Sequence, residues 1–277
     1  MKKAIKHHLK ASFSTLIWIY RFLHQYKGKP KLKKVPSGKT LLILANGPSL
    51  NDVIHQIIPS EKRDIRVVNF FCFSSEFNRL KPSSYIIADP KFFFNDLEPN
   101  YLKFYDILNT ISWDMTLIIP QNYYKNVRTR IKNQRITIET YYENSYDGYP
   151  RLRRILYQTN LSMPKCQNVV VPAIFVGINE GYEKIELYGV DHSWTKDIRV
   201  DNENRVCTIS NHFYESSEYK LIPWPKTFGG IYKMHEILRD LALMFESYHQ
   251  LREYADSTGC QILNKTPDSF VDAFERE

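Results

Sequence analysis

A short apolar run that ends abruptly at a glycine turn restricts the fold more than any other feature of the sequence. Residues 40–45 (TLLILA) are continuously apolar, which is typical of a buried strand in a parallel sheet. The turn Asn46–Ser49 (NGPS) follows, and SLNDVIHQII then spaces its apolar residues as a helix does. Ser49 and Asp52 have the spacing of a capping box. The pattern therefore predicts a strand, a tight turn and a helix.

The predicted turn is a candidate anion site. A strand–turn–helix unit places backbone N–H groups and the positive end of a helix at the carboxyl edge of a sheet. We therefore interpret Asn46, Gly47, Pro48 and Ser49 as candidate ligand-binding residues. The turn is neither G-x-G-x-x-G nor a Walker motif, so NAD-binding and P-loop enzymes are disfavoured. A purely structural turn is the alternative.

Other segments extend the same architecture along the chain. Further strands are predicted at Ile65–Phe71, Tyr85–Ala88, Met115–Ile119, Ile185–Tyr188 and Gln261–Leu263. Helices are predicted at 96–109, 124–132, 149–158, 168–180, 230–256 and Ser269–Glu275. Alternation of strands and helices predicts an α/β, Rossmann-like domain with a mostly parallel sheet and helices on both faces.

Polar residues lie where the predicted strands end. Asn46 ends the first strand, Asn69 belongs to the second and Asp89 follows the third, so parallel neighbouring strands would bring the three side chains to one edge. Asp191 and His192 follow the strand that ends at Tyr188 and are candidate catalytic residues. Alternatively, Asp191 caps a loop and His192 packs in the core.

The segment 193–228 is predicted to be a lid that orders over substrate. It lacks apolar periodicity, and a long polar segment inside a compact domain is commonly a lid. It contains the cations Lys196 and Arg199 and the candidate general base His212. A His is suited to that role because its pKa lies near neutral pH.

The positive charge of the chain belongs to an N-terminal arm, residues 1–38, and the catalytic domain is expected at 39–277. Residues 1–40 hold eleven of the 38 Lys and Arg residues and no acidic residue, whereas the whole chain has a net charge of +8. Nucleic-acid binding across the fold is therefore disfavoured. Phe13, Leu16 and Leu23 fall on one face of a predicted basic helix, which suits an anionic membrane surface.

The apolar run of the arm is too short to span a bilayer, and no signal cleavage site follows it. Packing of the helix on the catalytic domain and binding to a partner protein are the alternatives. The four cysteines form no C-x-x-C pair, so we expect a reducing cytoplasm and a peripheral position on the inner membrane face.

From about residue 40 to the end, the motifs resemble the bacterial sialyltransferases of glycosyltransferase family 42. The resemblance rests on ANGPSL, Asn69, the Asp89-Pro90 pair, GYEKIELYGVDHSW, the N-H-F-Y segment and GCQILNKTPDSFVDAF. The N-G-P-S-L turn is shared with the related pterin pyrophosphokinase-like proteins. The resemblance therefore implies a superfamily more firmly than a reaction.

The resemblance implies a CMP-activated nonulosonic acid such as sialic acid as donor, a glycan or glycolipid as acceptor, and no separate cofactor. By similarity, Asn46 and Asn69 hold the CMP-sugar, Asp89 stands where the family has Asn, and His212 matches the catalytic base. His192 is the rival base. Related enzymes also suggest a homo-oligomer.

Metal-independent catalysis is expected because the sequence has no D-x-D motif, and Lys196 with Arg199 would balance the phosphate charge. The second hypothesis is a pyrophosphokinase whose Mg²⁺ is held by Asp89 and Asp191. The third is a non-catalytic nucleotide-binding or scaffold protein.

Overall fold

A computed structural model of the chain describes residues 2–26, 28, 30, 32–94, 98–209, 221–226 and 229–276. The helices are α1 Lys2–Gln25, α2 Leu50–Val53, α3 Glu76–Leu80, α4 Lys91–Phe94, α5 Pro99–Thr110, α6 Tyr124–Arg130, α7 Pro150–Gln158, α8 Val170–Glu180 and α9 Met234–Thr258. The strands are β1 Thr40–Leu44, β2 Arg63–Val68, β3 Ser84–Ile86, β4 Met115–Pro120, β5 Ile136–Tyr141, β6 Lys184–Tyr188, β7 Arg199–Val200, β8 Val206–Ile209, β9 Leu221–Pro223, β10 Gln261–Asn264 and β11 Glu275–Arg276.

One parallel eight-stranded sheet forms the centre of the molecule, in the order β11-β10-β6-β1-β2-β3-β4-β5. The chain runs outward from β1 to β5 and then returns to place β6 on the other side of β1. The switch in direction therefore lies between β1 and β6. In open α/β sheets, ligands bind outside the carboxyl ends of the strands at such a point.

Both faces of the sheet are buried, as the apolar run of β1 predicts. Leu41 and Ile43 contribute to the core on the side of α8 and α9, whereas Leu42 and Leu44 contribute to the core that contains residues of α3 and α5. Successive side chains of a strand point to opposite faces, so a continuous apolar run fits a strand covered on both sides. The predicted Rossmann-like α/β class is confirmed.

The structure differs from the element predictions at strand β5 of the main sheet and at residues 269–275 beside it. The strand β5 was not predicted, because ITIETY mixes Thr and Glu with apolar residues and only its two ends are buried. The helix predicted at Ser269–Glu275 does not form. Instead, Ser269 Oγ donates to the Val190 carbonyl (2.6 Å) and Asn264 donates to the Val271 carbonyl (3.3 Å), which fixes an irregular segment against the sheet.

The described part of the segment 193–228 forms a small antiparallel sheet in the order β7-β8-β9. These strands are two to four residues long, too short for a period-2 pattern to be recognised in the sequence. Its role as a lid stays a prediction, and residues 210–220 and 227–228 lie outside the described residues.

Helix α1 precedes the domain, and the described residues between α1 and β1 form neither a helix nor a strand. No helix in the described part of the chain is both long and apolar enough to cross a membrane.

Candidate functional site

The turn after β1 packs directly against the segment after β6. The Gly47 N–H donates to the Gly189 carbonyl (2.9 Å), and a Cβ atom at position 47 would lie 1.9 Å from Asp191 Oδ2 and 2.5 Å from the Gly189 oxygen. Only glycine allows such an approach, since real Cβ atoms do not come within 3 Å of other heavy atoms. The NGPS sequence is therefore explained by contact with β6 as well as by turn geometry.

Ser49 is bound to Asp191 and does not cap its own helix. Asp191 Oδ1 accepts from the Ser49 N–H (3.2 Å), and Asp191 Oδ2 accepts from Ser49 Oγ (2.7 Å). The predicted capping box with Asp52 is wrong, because the Ser49 side chain makes no cap hydrogen bond to its helix. The Ser49 hydroxyl is instead oriented by the Asp191 carboxylate, which follows β6 and is distant only in sequence.

The Asp191 carboxylate occupies the place where an anion was predicted. Burial raises the pKa of Asp191, and its hydrogen bonds to Ser49 oppose that rise. Pro48 has no N–H, and the N–H groups of Gly47 and Ser49 are both engaged. The anion-binding role of the turn stays a prediction, and it requires the ligand to displace Asp191.

Asn46 and Asn69 lie at the carboxyl ends of β1 and β2, two neighbouring parallel strands as predicted. Asn46 Nδ2 donates to the Val68 carbonyl (3.3 Å), which leaves Asn46 Oδ1 buried without a partner. Asn69 has a left-handed backbone (φ 48°), and Tyr85 donates its hydroxyl hydrogen to the Asn69 carbonyl. The side-chain oxygen of Asn69 is also buried without a partner.

Buried polar atoms without a hydrogen-bond partner recur along this edge in the described part of the chain. They include Gln121 Oε1 after β4, Tyr141 Oη at the end of β5 and Asn168 Nδ2 before α8. An unpartnered buried polar atom costs about 1–3 kcal/mol, so native proteins retain few of them. We call the set Asn46, Asn69, Gln121, Tyr141 and Asn168 the polar edge.

Asp89 and Asp191 do not lie close enough to share a metal ion. Asp89 is exposed, and its Oδ1 accepts from the Lys91 N–H (2.9 Å). Strands β3 and β6 are separated by β1 and β2, so their ends are about 14 Å apart at ordinary strand spacing. The hypothesis that these two carboxylates together hold Mg²⁺ is wrong, because β1 and β2 lie between the strands that carry them to the edge.

His192 is buried beneath α9. Its Nε2 lies 2.5 Å from the Tyr248 hydroxyl, its ring stacks on Trp194 with centroids 4.6 Å apart, and the Tyr248 hydroxyl reaches Asn168 Oδ1 (3.2 Å). Burial lowers the pKa of His192 to about 3, so the ring is neutral at physiological pH. The packing alternative raised for this residue fits these contacts, and its catalytic role stays a prediction.

The remaining predicted residues lie beside the small antiparallel sheet or outside the described residues. Lys196 is exposed with its ammonium 4.8 Å from the centre of the Phe270 ring, and Arg199 donates to the carbonyls of Lys196 and Ile198 (2.8 Å each). The structure shows neither cation bound to an acidic partner within the described residues. His212 lies outside the described residues.

Glu143 is a candidate that the sequence did not reveal. It follows β5 and lies beside Cys166, whose thiol donates to the Asn168 carbonyl (3.4 Å). Surrounding protein atoms raise the pKa of Glu143 to about 7, although the side chain keeps contact with solvent. Because β5 was not predicted, nothing in the sequence placed Glu143 at the carboxyl edge.

A family model described as 6-hydroxymethylpterin diphosphokinase MptE-like matches residues 16–197, which is well over half of the chain. The chain belongs to the MptE-like family. The family takes its name from a diphosphokinase, which is a transferase. No curated protein matches this MptE-like chain in sequence.

Solved structures similar to this MptE-like protein include sialyltransferases of Campylobacter jejuni. CstII in complex with the substrate analogue cytidine-5'-monophosphate is 13% identical, with a TM-score of 0.42, and the match covers 87% of this chain and 86% of that one. CstII with CMP-3FNeuAc is 14% identical (TM-score 0.45; 86% of each chain). The α-2,3-sialyltransferase Cst-I is 14% identical (TM-score 0.43; 88% and 82%). At such values, we transfer no residue role from these enzymes.

Proposed function

We propose that this MptE-like protein is a glycosyltransferase that binds a CMP-activated sugar, of the nonulosonic acid class, along the polar edge and transfers the sugar to a glycan or glycolipid hydroxyl. The observation that carries the proposal is the orientation of two amide groups. Asn46 and Gln121 each donate their NH₂ group to a backbone carbonyl, of Val68 and Gly28 respectively. The atom that each leaves unpartnered is therefore a carbonyl oxygen.

A carbonyl oxygen accepts hydrogen bonds and repels other acceptors. Phosphate oxygens are acceptors, whereas ribose hydroxyls, sugar hydroxyls and the amino group of cytosine are donors. The polar edge between β1 and β4 therefore favours the nucleoside and sugar parts of a donor molecule over a polyphosphate. The motif resemblance to family 42 sialyltransferases supports the same class of substrate.

The proposed reaction breaks the bond between the anomeric carbon and the CMP phosphate oxygen and forms a bond from that carbon to the acceptor oxygen. The acceptor hydroxyl loses its proton to a general base, and CMP leaves with the electron pair of the broken bond. We assign the base to His212 from the motif resemblance. Exposed Lys196 and Arg199 are the cations proposed to balance the phosphate.

The family match favours a second candidate, a diphosphokinase that transfers a pyrophosphoryl group to an alcohol. Such chemistry ordinarily depends on Mg²⁺ bound by carboxylates. Asp89 and Asp191 do not fit one ion together, and the described residues hold no cluster of three or more His, Cys, Asp or Glu side chains suited to a metal. We therefore derive no step through a metal for this candidate.

Ligand binding separates the two candidates. We expect CMP and CMP-sialic acid to raise the melting temperature without Mg²⁺ and to bind in titration calorimetry. Asn69→Ala should weaken CMP about three- to tenfold, the effect of one neutral hydrogen bond. Lys81→Ala is the matched control, since Lys81 has a similar left-handed backbone (φ 45°) and lies far from the polar edge.

Binding of ATP with Mg²⁺ and no binding of CMP would overturn the glycosyltransferase and favour the diphosphokinase. Equal weakening of CMP binding by both variants would refute contact at Asn69, because the loss would then come from backbone strain. If the His212→Ala variant still transferred sialic acid to a hydroxyl acceptor at the wild-type rate, the assignment of His212 as the general base would be refuted.

A further inference from the structure

Helix α1 packs on the domain through one face. Ala11 is almost fully buried, the hydroxyls of Thr15 and Tyr146 lie 2.9 Å apart, and Trp18 Nε1 donates to the Leu161 carbonyl (3.3 Å). Small, hydroxyl-bearing and aromatic side chains thus face the protein.

The apolar face of α1 points away from the protein. Six of its large apolar side chains are between 52% and 72% exposed: Ile5, Leu9, Phe13, Leu16, Tyr20 and Leu23. Their spacing of three or four residues makes one stripe, about 27 Å long at the helical rise of 1.5 Å per residue. Scattered exposed apolar residues are ordinary, whereas a continuous stripe marks a binding surface.

The charge around the stripe is positive. The sequence of α1 contains four Lys, one Arg and no Asp or Glu, and Arg21 is exposed. Pairing of the stripes of two copies would bring two such arms together and would be opposed by charge repulsion. Anionic lipid headgroups supply the opposite charge and an apolar layer in which the stripe can be buried.

The C-terminal end of α1 lies at the carboxyl edge of the sheet. The Tyr26 ring meets the Tyr142 ring edge to face, with centroids 6.1 Å apart, just after β5. Gln121, a member of the polar edge, donates to the Gly28 carbonyl (2.7 Å). The surface that carries the stripe and the proposed ligand site therefore belong to the same end of the molecule.

We propose that α1 lies in the plane of an anionic lipid bilayer with its stripe buried in the interface, and that the carboxyl edge of the sheet is thereby held next to the membrane. The helix is already packed against the domain, so binding needs no folding of the helix. This inference rests on α1 alone and stands whether or not the ligand is a CMP-sugar.

Cosedimentation of the full chain with lipid vesicles tests the proposal. We expect binding to phosphatidylcholine vesicles that contain about one third phosphatidylglycerol, with much weaker binding to phosphatidylcholine alone and loss of binding at high salt. Phe13→Ser/Leu16→Ser should lower the partition coefficient at least about tenfold, since two apolar side chains no longer enter the interface. Leu102→Ser is the matched control, because Leu102 is an exposed leucine (47%) on α5.

Equal binding of the double variant and the wild type to the anionic vesicles would overturn the proposal. A dimer in light scattering that dissociates in the double variant, without vesicle binding, would assign the stripe to a second copy. Both variants change exposed side chains, so their melting temperatures and CMP affinities should equal those of the wild type. A loss of vesicle binding with unchanged CMP affinity is thereby distinguished from a failure of the proposed ligand site at the polar edge.

Discussion

The two edges of the parallel sheet differ in how their polar groups are satisfied. At the amino edge, a cavity of about 580 Å³ is bordered by charged side chains, and those buried there are paired. Arg66 is fully buried and donates to Ser84 Oγ (3.0 Å), to the Ala173 carbonyl (2.9 Å) and to Glu180 Oε2 (2.6 Å). Lys39 and Asp64 form a second ion pair at 2.9 Å.

At the carboxyl edge, the described residues include buried amide and hydroxyl groups that have no hydrogen-bond partner. Among the described residues, none of these unpartnered groups lies at the amino edge. The comparison separates groups that stabilise the fold from groups that weaken it, and we propose that the second set binds a ligand. We therefore expect substitutions at the amino edge to change the free energy of unfolding, and substitutions at the polar edge to change ligand binding.

The largest effect should come from breaking the buried ion pair. Arg66→Met leaves the Glu180 carboxylate buried without its guanidinium, and we expect a loss of about 3–5 kcal/mol in the free energy of unfolding. Denaturant unfolding measures the loss, and Arg66→Met/Glu180→Leu should recover most of it. A loss of less than about 1 kcal/mol in the single variant would show that the pair contributes little. The folded fraction should bind CMP as the wild type does.

Acid should destabilise the fold through His192. Its folded pKa of about 3 lies below the unfolded value of about 6.5, so below pH 6.5 the unfolded chain binds a proton that the folded chain does not. The stability contributed by the neutral His192 is therefore fully present above pH 6.5 and falls by about 1.4 kcal/mol per pH unit as the pH decreases toward 3. The raised pKa of Glu143 acts in the opposite direction between about pH 7 and 4.5.

His192→Gln should remove this slope between pH 6.5 and 5, measured by unfolding in urea at each pH. His249→Gln is the matched control, since His249 is exposed, and it should keep the slope. Parallel pH profiles for the wild type and His192→Gln would refute the neutral, buried state of His192.

The smallest expected effect on the free energy of unfolding compares two tyrosine hydroxyls, one at each edge of the sheet. Tyr254 donates its hydroxyl hydrogen to Asn179 Oδ1 (2.5 Å) at the amino edge, whereas the buried hydroxyl of Tyr141 has no partner. Tyr254→Phe should cost about 1–2 kcal/mol of unfolding free energy, and Tyr141→Phe should be neutral or stabilising by up to about 1 kcal/mol. Comparable losses in both variants would mean that the Tyr141 hydroxyl is satisfied in the folded protein.

Much of the fold was predictable because it is encoded by local periodicity. Strands β1, β4 and β6 and helices α7 and α8 lie within one or two residues of their predicted positions, since continuous apolar runs and helical spacing are strong signals. Strand β5, the short strands β7–β9 and the irregular segment after β10 were not predicted, because their conformations depend on partners elsewhere in the chain. Glu143 was missed as a site candidate for the same reason.

The sequence by itself determined the strand–turn–helix unit, the basic arm and the polar residues that end the strands, because each of these depends on neighbours along the chain. Only the tertiary structure decided which of those residues meet. The return of β6 to the side of β1 brings Asp191 to Gly47 and Ser49 and separates it from Asp89, across more than 140 residues of chain. Sheet order is a property of packing between distant segments, and local propensity does not encode it.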